Sequence, residues 1–468
     1  MLAPHCQAYR EQVVEGEPAT SRVEPYQSEP GQTLGATTAP DSYADARRRL
    51  KAIFIGSIGN LVEWYDFYAY AAFALYFAGD FFPHSDPVVQ QLNAALLFAA
   101  GFLVRPLGGW MFGYLADHYG RRGALMLSVS LMCFGSLMIA VTPTYETIGI
   151  GAPILLGLAR IIQGLSLGGE YGTSATYLTE MADQRNRGFY SSFQYVTLIG
   201  GQICALLVLL LLQKVFLSAE EIRAWGWRIP FAIGALLAAI ALVMRRNLHE
   251  TEAFEAAKKV VTRTSSLRAL MRYPREVLLV VGLTAGGTAA FYTYTTYMQK
   301  FLKLSVGLTD DQTTMVTLSA LVFGIILQPI YGAISDRIGR KWLLIGFGVT
   351  GVLFTIPLLT SLQSASGPLQ AFLLIAAAWM IVSGYTSINA VVKAELFPTN
   401  IRAIGVGLPY ALTVSIFGGT ADSVALAFKS WGHEEWFYYY LTGMIGISLF
   451  VYLLMRDTKA DSAMHRHE

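Results

Sequence analysis

Long apolar stretches alternate with short polar loops from residue 52 to residue 455. A helix needs about 20 mostly apolar residues to cross the hydrocarbon of a bilayer. Twelve stretches meet that need: 52–78, 89–115, 123–142, 152–179, 189–213, 228–246, 276–300, 313–334, 342–361, 370–392, 403–428 and 436–455. Residues 247–275 are polar, carry Glu250, Glu252, Glu255, Lys258 and Lys259, and separate the stretches into two sets of six. The pattern predicts an all-α membrane protein with twelve transmembrane helices in two six-helix, pseudo-symmetric halves, 47–246 and 276–455. Residues 1–46 are polar with scattered Pro, Gly, Ser and Glu, which predicts a disordered N-terminal tail; 456–468 read as a short C-terminal tail.

Composition agrees. The chain is 54% hydrophobic and 14% charged, against about 25% charged for a soluble domain. A net charge of +2 supplies no basic field for nucleic acid. Cys6, Cys133 and Cys204 cannot build a disulfide framework. No GxxxxGK[ST] loop is present, Gly282 to Gly287 makes no nucleotide fingerprint, and His465-Arg466-His467 has no further ligands at fixed spacing. Neither metal nor cofactor is expected, and the chain does not read as an enzyme.

Lys and Arg orient the spans. Arg47, Arg48, Arg49, Lys51, Arg121, Arg122, Arg185, Arg187, Arg337, Arg340, Lys341 and Arg402 collect on one side with most of the central loop; Lys214, Arg223, Arg228, Lys300, Lys303 and Lys429 fall on the other. Both termini are therefore expected in the cytoplasm.

Two repeats relate the halves. Gly113-Tyr-Leu-Ala-Asp117-His-Tyr-Gly120-Arg121-Arg122 recurs as Gly332-Ala-Ile-Ser-Asp336-Arg337-Ile-Gly339-Arg340-Lys341. Glu180 and Arg187 follow the fourth stretch seven apart, as Glu395 and Arg402 follow the tenth. Paired halves place a solute path between them, which predicts a carrier.

These loops resemble the signature of the major facilitator superfamily. Arg160-Ile-Ile-Gln163-Gly164 and Gly168-Gly169-Glu170-Tyr171 resemble the fourth span of its symporters, and Asn60-Leu-Val-Glu63-Trp-Tyr-Asp66-Phe-Tyr its metabolite:proton symporter subfamily. Phe98 to Gly113, Gly172 to Tyr177, Ser192 to Gln202, Trp225-Gly-Trp-Arg228-Ile-Pro and Phe291 to Lys300 resemble that subfamily's dicarboxylate carriers. The resemblance implies proton symport of a small organic anion by alternating access in the bacterial inner membrane, with 2-oxoglutarate the first choice. Citrate, shikimate and, less favoured, betaine- or proline-type solutes are the alternatives. The C-terminal tail is short and lacks heptads, unlike the coiled-coil tail of the osmosensing betaine members. The implied unit is a monomer in lipid. The doubled loops imply a gate of charged contacts, assigning Asp117, Arg121, Asp336, Arg340, Glu180, Arg187, Glu395 and Arg402 to it. The alternative for those charges is topology signalling alone, which the repeated Asp disfavours because topology depends little on acidic residues.

An ionisable side chain at mid-membrane costs about 2.5–3.5 kcal/mol on insertion scales, so each one inside a span needs a reason. Arg105, in Phe-Leu-Val-Arg105-Pro, can hold a carboxylate with two parallel hydrogen bonds, or else pair with Asp66 or Glu63. Glu63 and Asp66 are three apart and share a helix face; like charges that close resist joint ionisation, which suits a proton carrier, although both could be fixed counter-ions of Arg105 and Arg160. Asp422 is a further proton-coupling candidate, or a partner for a cation. Arg160 and Lys393 are the other candidate anion ligands, with Lys393 near enough to a span end to snorkel. Tyr292, Gln194 and Gln328 supply candidate polar contacts, whereas Tyr297 fits the aromatic belt at a span end. Glu170 reads as structural.

Overall fold

Pro106 interrupts the second apolar stretch. Having no N–H, it cannot bond the Phe102 carbonyl. The helix there runs Pro87–Leu103 and resumes over Arg105–Tyr119. The computed structural model describes residues 43–119, 121–168, 185–246, 270–398 and 401–460, with 179, 182 and 462 as isolated positions.

Eight helices among these residues are long and apolar enough to cross a membrane, and three shorter apolar ones accompany them. With the helix Tyr43–Phe81 they account for the twelve spans. In chain order they are α1 (Tyr43–Phe81), α2 (Pro87–Leu103 and Arg105–Tyr119), α3 (Arg121–Val141), α4 (Gly151–Leu167), α5 (Arg187–Leu211) and α6 (Ile229–Arg246). Then come α7 (Pro274–Val306), α8 (Asp310–Ile338), α9 (Arg340–Gln363), α10 (Pro368–Thr386 and Asn389–Glu395), α11 (Arg402–Ser430) and α12 (Glu435–Leu454). No strand occurs among the described residues. From Arg48 to Glu468 the chain forms one compact unit.

α7 differs from expectation. It continues beyond residue 300 to Val306, through widened π-type turns at Thr293–Tyr297 and Leu302–Val306. Lys300, counted among the loop charges, is thereby inside the helix and 2% exposed. Tyr297 is not in an aromatic belt: it is fully buried, and its hydroxyl donates to Glu434 at 3.0 Å.

Helices approach closely where both sides are glycine. A Cβ at Gly164 of α4 would overlap the Gly101 carbonyl of α2. A Cβ at Gly332 of α8 would lie 2.6 Å from the Gly188 carbonyl of α5. Without a hydrophobic drive between helices in lipid, this backbone proximity is what packing can use. The first pair joins spans of one half. The second joins α5 to α8, one from each half.

Candidate functional site

Three sets of polar groups lie buried among the spans, the first of them where the first six meet the last six. Arg105 follows the α2 interruption and is 2% exposed. Its guanidinium lies 5.0 Å from the Trp64 ring centre and 5.1 Å from that of Phe102. Aromatic faces attract a cation but donate no lone pair in the guanidinium plane. Nε and Nη1 of Arg105 have no hydrogen-bond partner among the described residues. Tyr68 of α1, Tyr292 of α7 and Tyr410 of α11 lie close enough to interact electrostatically in this cluster, the first two directly with Arg105. The hydroxyls of Tyr68 and Tyr292 lie beside one another, and that of Tyr292 beside Arg105. Arg105 thus faces neither hydrocarbon nor Asp66. It sits on the seam between halves.

The seam is built locally. The Phe102 carbonyl, which Pro106 cannot bond, accepts from Ser415 Oγ of α11 at 2.5 Å. Ser415 lies in the π-type turn Val414–Gly418, one of the widened turns that recur at functional sites. The Phe102 and Tyr292 rings meet edge to face, 5.2 Å apart. Gln299 of α7 donates to the Ala72 carbonyl of α1 at 3.2 Å.

The second set is a relay inside the first half. Arg160 Nη1 donates to Gln163 Oε1 at 2.6 Å. Gln163 Nε2 donates to Asp66 Oδ2 at 2.7 Å and to Ser136 Oγ at 3.0 Å. The guanidinium of Arg160 is enclosed by the rings of Phe67, Tyr70 and Phe98, at 4.2, 4.5 and 5.2 Å. Asp66 Oδ1 has no hydrogen-bond partner among the described residues, and it lies where Gly234 leaves room: a Cβ there would collide with it. One carboxylate oxygen is therefore held and the other is open. Glu63 is buried one turn before Asp66.

The third set is an ion pair between Lys300 of α7 and Asp422 of α11, each 2% exposed. Asp422 therefore has a fixed cation partner. Lys393 does not snorkel: it is fully buried, its ammonium 3.6 Å from the Tyr410 ring centre. That contact brings it to the Arg105 cluster. Gln194 is buried in α5. Gln328 stands apart. Its amide donates to the Gly324 carbonyl at 3.0 Å and to Ser383 at 3.2 Å, and accepts from Thr386 at 2.8 Å, so protein groups already occupy it.

At one end of the seam, Asp336 of α8 accepts from the backbone N–H groups of Gly188 and Phe189, at 2.8 and 2.9 Å. These groups open α5, where unbonded N–H groups favour a negative charge. Arg340 donates to Asp336 at 2.8 Å and reaches Glu395 at 3.6 Å. Arg187 lies in the field of Glu395, Arg340 and Arg402. Arg402 Nε donates to the Phe397 carbonyl at 3.2 Å. The side chains of Asp117 and Arg121, and Glu170 and Glu180, lie outside the described residues. At the other end, Lys214 pairs with Asp311, and Arg223 with Asp310 at 3.1 Å, again across the halves. These pairs are largely exposed, where each contributes little.

Sequence reasoning missed the bridging role of Gln163, although its three-residue spacing from Arg160 was a usable signal. Lys300 was misplaced because the apolar run ends near it. Tyr68 and Tyr410 carry no mark among 25 tyrosines.

The family model "Sugar (and other) transporter" matches residues 52–264 and 251–468. The chain is 51% identical to the alpha-ketoglutarate permease of Escherichia coli K12 over 412 residues, covering 88% of this chain and 95% of the permease. It is 32% identical over 382 residues to the citrate-proton symporter of Klebsiella pneumoniae, covering 81% and 85%. Among solved structures, the crystal structure of a D-xylose-proton symporter superposes with a TM-score of 0.69 at 18% identity, covering 88% of this chain and 99% of that one, a likeness of fold.

Proposed function

The chain belongs to the sugar (and other) transporter family of the major facilitator superfamily, a multi-pass membrane protein, and on that premise we propose that it is a proton symporter for 2-oxoglutarate in the bacterial inner membrane. The carrying observation is Arg105: a buried guanidinium with two unbonded nitrogens, on the seam between the halves, among aromatic rings and tyrosine hydroxyls. A planar fork of donors in a low-dielectric site suits a carboxylate. Arg160 and Lys393 supply further nitrogen donors for a second carboxylate. The alpha-ketoglutarate permease relative supports the choice of substrate.

Coupling follows from charge. An inside-negative potential opposes a dianion by about 4.6 kcal/mol per 100 mV, twice the single-charge figure. Two protons carried inward make the cycle neutral. Asp66, with Glu63 one turn away, and Asp422 are the acids placed to load them. The halves rock about the Arg105 cluster, and cross-half contacts at both ends correspond to an occluded stage of that cycle. The Asp336 end is the cytoplasmic gate, both termini lie on its side, and one chain is the working unit.

Purified protein in proteoliposomes should accumulate labelled 2-oxoglutarate when the lumen is made alkaline, and a protonophore should abolish the accumulation. pH-driven uptake of labelled citrate without uptake of labelled 2-oxoglutarate would transfer the assignment to citrate; no pH-driven uptake of any organic acid would end it. The gate makes its own prediction. Replacing Asp336 by Asn removes the charge that holds two N–H groups of α5, an effect of about 1 kcal/mol. A cysteine placed at Ser192, beside Gly332, should then react with an aqueous thiol reagent about fivefold faster. An unchanged rate would argue that the contact does not hold the gate.

A further inference from the structure

α10 is interrupted toward its C-terminal end. Its first segment ends at Thr386 and its second begins at Asn389. In secondary carriers, broken helices at membrane depth are tolerated where the freed groups face protein or a solute cavity. Asn389 opens the second segment, is 0% exposed, and neither its amide nitrogen nor its amide oxygen has a hydrogen-bond partner among the described residues. Ala390, Val391 and Val392, which follow it, are buried as well. A buried amide left wholly unbonded is costly, and such groups in native proteins usually mark a function.

The surroundings say which. Lys393 lies one turn on and shares a helix face with Asn389. That face meets Tyr410, because the Lys393 ammonium lies over its ring. Tyr410 in turn interacts with Tyr292 and Tyr68 of the Arg105 cluster. The second half therefore presents an amide and an amine toward the cluster whose guanidinium comes from the first half. The guanidinium and the amine suit the carboxylates of the solute. The neutral amide suits an uncharged oxygen, and a 2-oxo dicarboxylate has one between its charged ends.

We propose that Asn389 donates a hydrogen bond to the 2-oxo oxygen of the solute and so selects 2-oxo dicarboxylates over their unsubstituted analogues. This rests on the dicarboxylate reading above. A site built to hydrogen-bond one solute group rejects the analogue that lacks it, because its own buried group then stays unbonded.

The test is competition in proteoliposomes between 2-oxoglutarate and glutarate, which differ only in that oxygen. The unmodified protein should prefer 2-oxoglutarate at least tenfold. Asn389→Ala should bring the two within about threefold, by weakening 2-oxoglutarate and leaving glutarate nearly unchanged. Asn389→Ser, which keeps a donor on a shorter arm, should fall between. Melting temperature in detergent should hold or rise in Asn389→Ala, since the change removes an unbonded amide; a structural role predicts a fall. Equal weakening of both acids, or undiminished preference in both variants, would overturn the assignment and leave the symport reading standing. Failure of the unmodified protein to take up 2-oxoglutarate would overturn both.

Discussion

Arg105→Gln should lower the apparent affinity for 2-oxoglutarate at least 100-fold while the protein remains folded. Two charge-assisted hydrogen bonds in a desolvated site are at stake, and a hundredfold loss is only about 2.7 kcal/mol. Glutamine keeps the approximate volume between Trp64 and Phe102, so packing survives. Arg105→Lys should recover part of the affinity, since it restores charge without the planar fork. Direct binding by calorimetry on detergent-solubilised protein measures this apart from transport, with melting temperature as the check on folding. Affinity within threefold of the unmodified protein in Arg105→Gln would remove Arg105 from the site. Stacking of the guanidinium on two rings while Nε and Nη1 stay unbonded favours the ligand role over a structural one.

The second large effect is on coupling. Asp66→Asn should abolish accumulation of 2-oxoglutarate against its gradient and keep solute exchange within about threefold. Asparagine is nearly isosteric and its oxygen can still accept from Gln163, so the relay through Arg160, Gln163 and Ser136 persists. What it lacks is an open carboxylate oxygen to receive a proton beside Gly234. Exchange by the variant should also be flat with pH. Retained uphill uptake would move the proton to Glu63 or Asp422, and loss of exchange as well would make Asp66 structural. The ion pair of Asp422 with Lys300 makes Asp422 the weaker carrier on geometry, because its carboxylate is already engaged by the lysine.

Much of the candidate site was legible residue by residue and little of it as an arrangement. Arg105, Arg160, Asp66 and Asp422 stand out because each interrupts a long apolar run. Their partners do not. Whether Asp66 faces Arg105 or Arg160 depends on the rotation of α1 against α2 and α4, and the structure sets it beside Gln163. Gln328 looked as suitable a ligand as Gln194, but the neighbouring turn of α8 and the end of the first α10 segment consume its amide. Asn389 carries no signal in the chain at all, since Asn is unremarkable in a span until its surroundings are known.

The chain by itself determined the number of spans, their grouping in two sets, the doubled Asp–Gly–Arg loop and the short roster of charges inside apolar runs. All of these are local or repeated patterns, and the long gap between apolar and charged transfer energies makes them readable without a fold. Only the tertiary structure decided which charges meet, which amides are already bonded and that Arg105 lies on the seam. Those facts depend on helix rotation and on close backbone approach at Gly101, Gly164, Gly188 and Gly332. In lipid, apolar faces are interchangeable, so hydrophobicity alone does not say which face of a helix turns inward.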